Sequence, residues 1–285
     1  MQKNTYALVL GVSSGFGKAT ALRLADEGYN IYGVHLDRGS AKKAAEELRE
    51  HIEGKGVRAV FFNMNAASDD SRSEVIDFIK KDKAELEGFR LRVLVHSLAF
   101  GVLKFLVHAD KSLIASKKQI EMTMDVMANS LIYWTQDLFT ENLLSDNSRI
   151  MAFTSIGATK AMYNYGAVSA AKAALESYIR QLAVELAPYG ISSNSIHAGL
   201  TDTPAASKIP GFASMIKLAK IQNPMKRVTT EEDVAKTVAK LADEDFNWIN
   251  GEVIRVDGGD AIYEYYDWDT EAEGSPPPVF PKRND

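Results

Sequence analysis

The chain predicts an α/β fold: a single doubly wound parallel sheet with helices on both faces. Three observations predict it. Short apolar runs alternate with helical patterns from Tyr6 to Val256, and that βαβα rhythm makes neighbouring strands parallel, with a helix carrying each crossover. The first apolar run passes directly into a glycine turn, GVSSGFG at 11–17, that opens a helix. At 285 residues, 46% hydrophobic and 25% charged, the chain can bury one large core and requires no second.

Taken in order, Tyr6 to Leu10 reads as a buried strand. Gly11, Gly15 and Gly17 follow, and ATALRLADEGYN then has helical periodicity up to Gly28. Strand, glycine turn and helix in this order are the setting in which such a turn binds a dinucleotide. The glycines let backbone N–H groups approach a pyrophosphate, and the helix N-terminus favours its charge. A plain tight turn is the bland alternative. Asn30 to Leu36 is the second strand and ends at Asp37-Arg38. An acid there suits the hydroxyls of an adenosine ribose and an arginine suits a 2′-phosphate. Arg38, with Ser40 and Lys42 behind it, tilts the reading towards the phosphate, against a solvated helix start.

Lys42 to Ile52 reads as a helix, Val57 to Phe62 as a strand and Ser71 to Leu86 as a helix. Leu91 to Val95 is the fourth strand and runs into HSLAFG, where the small residues Ser97, Ala99 and Gly101 would let a cofactor lie close to backbone. His96 is either a ligand or acid, or a packed strand-end residue. No HExxH or His/carboxylate cluster accompanies the five histidines, so no metal site is expected. Gln119 to Leu144 reads as one long helix, with Asn129, Tyr133 and Trp134 in packing or interface roles. Ile150 to Thr154 is the fifth strand. Ser155 leaves its tip either as a donor to a substrate oxygen or as an ordinary turn serine.

From Gly166 a long helix carries Lys172 two turns beyond Tyr165, about 10 Å along the axis. The pair share a face without touching, so a ligand along the helix would bridge them. A phenol near a lysine suits proton delivery to oxygen on a carbonyl or enolate. Ile191 to Ile196 is the sixth strand. The proline-punctuated segment after it reads as only briefly helical, and between Asp202 and Glu231 it carries no acid but Lys208, Lys217, Lys220, Lys226 and Arg227. That excess suits an acidic partner, a phosphorylated substrate or merely a solvated face, and the length suits a substrate-covering lid. Glu231 to Leu241 is a helix capped by Thr229 or Thr230, and Glu252 to Val256 the last strand. From Asp260 the composition turns acidic, aromatic and then proline-rich, which builds no core. The expected organisation is thus a Rossmann-type domain over 1–259 and a tail over 260–285.

Composition narrows the function. A net charge of −5 argues against a general nucleic-acid binder. With no cysteine there is no disulfide framework, thiolate nucleophile or Cys-ligated metal. The apolar run before Gly11 is too short for a signal peptide, and no stretch approaches the length of a membrane span. A soluble cytoplasmic protein is the expectation.

These motifs resemble those of the short-chain dehydrogenase/reductase superfamily over the stretch from about Tyr6 to Gly259. GVSSGFG stands where that superfamily has TGxxxGxG, HSLAFG where it has NNAG, and VDGG closes its last strand. Commoner members have Tyr-x3-Lys, but the residue four before Lys172 is Val168, which cannot transfer a proton. Tyr165-x6-Lys172 is similar to the bacterial enoyl-acyl-carrier-protein reductases, as are HSLAF and DTPAASKIPGF. The resemblance implies that Tyr165 protonates or stabilises an enolate, with Ser155 at the same catalytic site, and that Lys172 holds the nicotinamide ribose. It implies that Gly11, Ser13, Ser14, Gly15, Phe16 and Gly17 hold the phosphates, and that Asp37, Arg38, Asn65, Ser97, Ala99, Thr201 and Thr203 line the rest of the cofactor. Phe100, Tyr163, Tyr165, Ala205 and Met215 are the implied substrate contacts, with the loop around Thr203 to Leu218 closing over the acyl chain. The implied cofactor is NADPH, slightly preferred, or NADH. The implied substrate is a trans-2-enoyl thioester on acyl carrier protein or coenzyme A, and the implied assembly a homotetramer.

There are departures from the family pattern. Its frequent second tyrosine, ten positions before the active one, is Ser155 here, with Tyr163 as a possible substitute. The glycine turn resembles an NADPH-using subgroup. The helix asparagine of carbonyl reductases falls on Met127, with Asn129 out of register. Two alternatives stay open: a carbonyl or 3-ketoacyl reductase that recruited Tyr165, and a non-catalytic dinucleotide-binding protein.

Overall fold

The structure is a computed structural model and describes residues 4–264. Apolar runs at the expected places become seven strands: β1 (Thr5–Leu10), β2 (Asn30–His35), β3 (Ala59–Asn63), β4 (Arg90–His96), β5 (Leu144–Thr154), β6 (Ser192–Ala198) and β7 (Val253–Val256). They form one sheet in the order β3-β2-β1-β4-β5-β6-β7, and every neighbouring pair is parallel. The helices are α1 (Gly15–Asp26), α2 (Ser40–Glu53), α3 (Asp69–Glu85), α4 (Lys117–Met124), α5 (Ser130–Thr140), α6 (Gly166–Leu186), α7 (Phe212–Gln222) and α8 (Glu231–Leu241).

Because successive strand residues point to opposite faces, the sheet has two cores. Leu8, Leu10, Leu94 and Ile150 pack with α3, α5 and α6 through Ile79, Leu131, Trp134, Val168 and Leu175. Ala7, Val9, Val93, Val95 and Met151 pack on the other face with α1, α2 and α8 through Leu24, Ile52 and Val234. β1 and β4 are sheet neighbours whose crossovers leave in opposite directions, and at such a reversal the strand carboxyl ends part to leave a crevice. Among the described residues no helix is long and apolar enough to cross a membrane.

Most element boundaries lie within two residues of the sequence reading. The exception is Gln119 to Leu144. The helix starts earlier, at Lys117, behind a capping box in which Ser116 and Gln119 satisfy each other's backbone N–H. It passes through a π-helical turn at Asp125–Asn129 and stops at Thr140. Asn142 then adopts φ 53° and Asn147 φ 59°, a left-handed backbone that no helix continues through and that asparagine tolerates. Leu144 therefore begins β5, which is six residues longer at its start than the apolar run from Ile150 suggests. The segment after β6 is also more ordered than expected, because α7 occupies eleven of its residues. The tail expected from Asp260 lies outside the described residues from 265 onward. Residues 260–264 are described, and the backbone N–H of Ala261 donates to Asp257 Oδ2.

Trp134, fully buried, donates its indole N–H to the Ala66 carbonyl at 2.7 Å and so fastens α5 to the loop that follows β3. Trp134→Ala removes the largest side chain of that core and orphans a buried carbonyl. An equilibrium denaturant titration is expected to show a loss of about 3–5 kcal/mol.

Candidate active site

Three loops meet at the carboxyl ends of β1, β4 and β6. Gly11 sits at φ +88°, and a Cβ there would lie 2.4 Å from the Ser97 carbonyl oxygen. A Cβ on Gly17 would lie 2.0 Å from the Gly11 oxygen. Both glycines are thus consumed by the tight turn against β4. Gly15 differs: at φ +55° its Cβ would meet nothing closer than Thr203, at 3.8 Å. That opening faces the start of α1, whose cap residue Ser14 makes no side-chain cap hydrogen bond and whose first turn holds no acid. An uncapped helix N-terminus with no acid in its own first turn, beside an open glycine, suits a pyrophosphate, so the turn fits the dinucleotide, with Glu231 Oε1 4.0 Å from the Gly15 Cβ position as a nearby acid. Ser13 and Phe16 flank it, with Phe16 packed 5.3 Å from the Phe153 ring.

β5 and α6 deliver the second half of the site. Tyr165 caps α6, and Lys172 lies two turns in, only 5% exposed, its ammonium donating to the Phe153 carbonyl at the tip of β5 at 2.7 Å. Burial pushes the Lys172 pKa down to about 8, and the Glu176 carboxylate one turn on opposes part of that drop. Glu176 is itself held by the Thr154 hydroxyl at 2.7 Å. The Tyr165 pKa is raised by burial, partly opposed by a hydrogen bond with the Ser155 side chain. The phenol therefore stays protonated through neutral pH and can donate. Its ring rests against Gly157, where a Cβ would lie 2.5 Å from Cε1. Val168 is buried in the core.

The structure brings Ser155 to the phenol. Tyr163 stands apart at 89% exposure, edge-on to Phe105 at 6.5 Å. Phe100 and Ala99 line the exposed run after β4, and Ala205 and Met215 lie on the segment after β6, exposed and half-buried respectively. Thr201 and Thr203 are buried, and Thr203 also receives the Ala206 N–H at 3.1 Å. At the far end, Asp37 is half-buried and Arg38 exposed without a side-chain partner among the described residues, while Asn65 is exposed and caps its own turn through Ala67 N–H. A cavity of about 600 Å³ lies between α1 and α8, along Arg23, Thr201, Asp202 and Glu231. It touches neither Tyr165 nor Lys172.

Several neighbours of the site escape the sequence reading. Gly157 shows no motif, since the ring it accommodates is eight residues away. Glu176 looks like an ordinary helix-surface acid. Glu231 sits 4.0 Å from the Gly15 Cβ position, and burial with nearby Asp202 raises its pKa against Lys18. His96 is fully buried with Nε2 at 2.8 Å from the Ser130 hydroxyl. Burial first and Lys172 second push its pKa down to about 3, so it is a neutral strand-end residue. Asn129, on the π-helical turn, accepts from the Tyr178 hydroxyl at 3.0 Å.

A glycine turn under a helix N-terminus at a sheet's reversal point, with a buried lysine and a protonated phenol on the neighbouring strand tip, defines a Rossmann-type dinucleotide-binding enzyme. The family model described as Enoyl-(Acyl carrier protein) reductase matches residues 11–260. The chain belongs to that family, within the short-chain dehydrogenase/reductases, and is an NAD(P)H-dependent oxidoreductase. It is 30% identical to the NADH-type enoyl-acyl-carrier-protein reductase FabI of Nostoc sp. over 89% of this chain and 95% of that one. It is equally 30% identical to the 3-oxoacyl-acyl-carrier-protein reductase FabG of Staphylococcus epidermidis, over 90% of this chain and 98% of the relative. The NADPH-type FabI of Staphylococcus aureus shares 26% over 91% and 97%. Among solved structures, the NADH enoyl-acyl-carrier-protein reductase of Aquifex aeolicus superposes with a TM-score of 0.79 at 26% identity, covering 93% of this chain and 99% of that one.

The buried lysine carries a testable cost. Its pKa falls from the ordinary 10.5 to about 8 on folding, so between those values the unfolded chain binds more protons and stability rises with pH. The penalty is fully present below about pH 8. Relative to Lys172→Met, which has no such group, the parent is expected to gain on the order of 3 kcal/mol from pH 7 to above pH 10.5. Urea unfolding of both proteins across that range measures it.

Proposed function

We propose that this oxidoreductase reduces the trans-2 double bond of an enoyl thioester carried on acyl carrier protein or coenzyme A, in cytoplasmic fatty-acid synthesis, as a homotetramer. The observation that carries the reading is the placement of the donor. The only phenol at the start of α6 that meets Ser155 is Tyr165, seven residues before Lys172, while the position four before Lys172 is Val168, spent in the core.

The chemistry makes use of that offset. The bound nicotinamide supplies a hydride. Addition at the β-carbon of a conjugated thioester develops negative charge on the thioester oxygen, two carbons from the attacked atom. A donor set one turn farther from the lysine reaches that oxygen while the β-carbon stays beside the lysine's end of the crevice. Tyr165 donates to the oxygen, Ser155 orients the phenol, and Lys172 binds the ribose hydroxyls. Gly11 to Gly17 bind the pyrophosphate, and the segment from Thr203 to Leu218, which includes Ala205 and Met215, covers the acyl chain with Phe100 and Tyr163 at the rim. The position of the carbonyl-reductase asparagine falls on Met127, and Asn129 Oδ1 accepts from Tyr178. Exposed Arg38 favours NADPH over NADH, while the relatives are named for both cofactors.

The second reading is reduction of a 3-oxoacyl thioester, favoured by the equal identity to the Staphylococcus epidermidis relative. Crotonyl and acetoacetyl thioesters, each with NADPH and NADH and followed by cofactor absorbance, separate the two. The expected result is turnover of crotonyl thioester with NADPH, and a predominance of acetoacetyl turnover would reverse the assignment. Tyr165→Phe is expected to bind cofactor normally and to lose about 10²–10³-fold in kcat.

A further inference from the structure

We infer that His35, a residue outside the cofactor's own contacts, sets the choice between NADPH and NADH by holding the Asp37 carboxylate away from the adenosine 2′ position and leaving that position to Arg38. This deepens the proposed NADPH preference and rests on it. His35 is the last residue of β2 and its side chain is 5% exposed. Its ring packs edge-on against Phe61 of β3 at 6.0 Å, which fixes its direction. From there Nδ1 lies 2.8 Å from Asp37 Oδ2. A carboxylate only accepts, so the ring must donate from Nδ1.

The backbone of Asp37 is held from the opposite side. Asn63, paired with His35 in the sheet register, accepts the Asp37 N–H at 2.9 Å and donates to the Asp37 carbonyl at 3.0 Å. Three hydrogen bonds therefore immobilise one residue, and its side chain is left 20% exposed. The next residue, Arg38, is exposed and makes no side-chain hydrogen bond or ion pair among the described residues. Asp37 stands twenty residues beyond Gly17, where an acid free to swing would take both ribose hydroxyls and repel a 2′-phosphate. Only a restraint on that acid lets an adjacent arginine decide the cofactor. His35 is thus a positioning residue, and it acts through Asp37.

The full-length protein tests this by calorimetric Kd values for NADPH, NADH and 2′,5′-ADP, with KM and kcat as a second readout. His35→Leu is expected to lower the NADPH-over-NADH affinity ratio by more than about fivefold, with weaker 2′,5′-ADP binding and an effect on KM more than on kcat. His35→Asn, whose amide nitrogen replaces the Nδ1 donor, is expected to preserve the ratio. In an Asp37→Asn background, His35→Leu is expected to shift the ratio by less than about twofold, because the charge it restrains is gone. A ratio unmoved by His35→Leu, or moved equally in both backgrounds, overturns the inference. Should His35→Leu not fold, Asp37→Asn decides alone. A gain in NADPH preference above about fivefold would mean that the carboxylate already faces the phosphate and overturns the inference, whereas a smaller change upholds it. Selective nucleotide binding without thioester reduction would sink the proposed reaction and leave this inference standing. Binding of neither nucleotide would sink both.

Discussion

The site depends on one hydrogen bond between helix and sheet, from the Lys172 ammonium to the Phe153 carbonyl. A buried ammonium is unfavourable unless its protons are satisfied, and here a strand-end carbonyl and the electrostatic field of Glu176 supply the compensation. The contact crosses from α6 to the tip of β5. It sets how deeply the helix sits on the sheet, and through that where Tyr165 and Ser155 stand relative to the crevice. The residual cost is a depressed Lys172 pKa, the kind of burial penalty that is common at reactive sites and that Arg149 also carries away from the crevice.

Around that anchor the structure spends its small residues where large groups must approach. Gly157 accommodates the Tyr165 ring, Gly11 and Gly17 allow the turn to close on β4, and Gly15 alone opens to the crevice. The polar interior of β6 is satisfied in part: Ser193 bonds the Ile179 carbonyl and Asn194 the Ile249 carbonyl, while the Ser192 and Ser195 hydroxyls are buried without a partner. In contrast, α7 buries no residue completely. Few buried contacts place it at the low-stability end of the fold, which suits the covering role proposed for it.

On the proposed reading the two ends of the crevice obey different logic. Tyr165 and Lys172 are set by one long helix and cannot vary independently. Asp37 and Arg38 lie on a short turn after β2, where a single restraint acts on both. The relatives are named for both cofactors, NADH and NADPH.

Much of this was legible in the residues alone. Apolar runs and glycine turns follow from backbone sterics and burial, which act locally, so the alternation of strands and helices, the glycine turn and the Tyr165 to Lys172 offset stood in the linear pattern. Leu144 to Arg149 did not, because two asparagines in a left-handed backbone, and pairing with β4, override an apolar pattern that also suits a helix. Nor did the contacts that make the site specific. Ser155 meeting the phenol where Tyr163 does not arises only once packing has fixed side-chain directions. Glu176, four residues beyond Lys172 on α6, and Asp37, two beyond His35, are close in the chain, but only burial by the rest of the fold makes those short spacings matter.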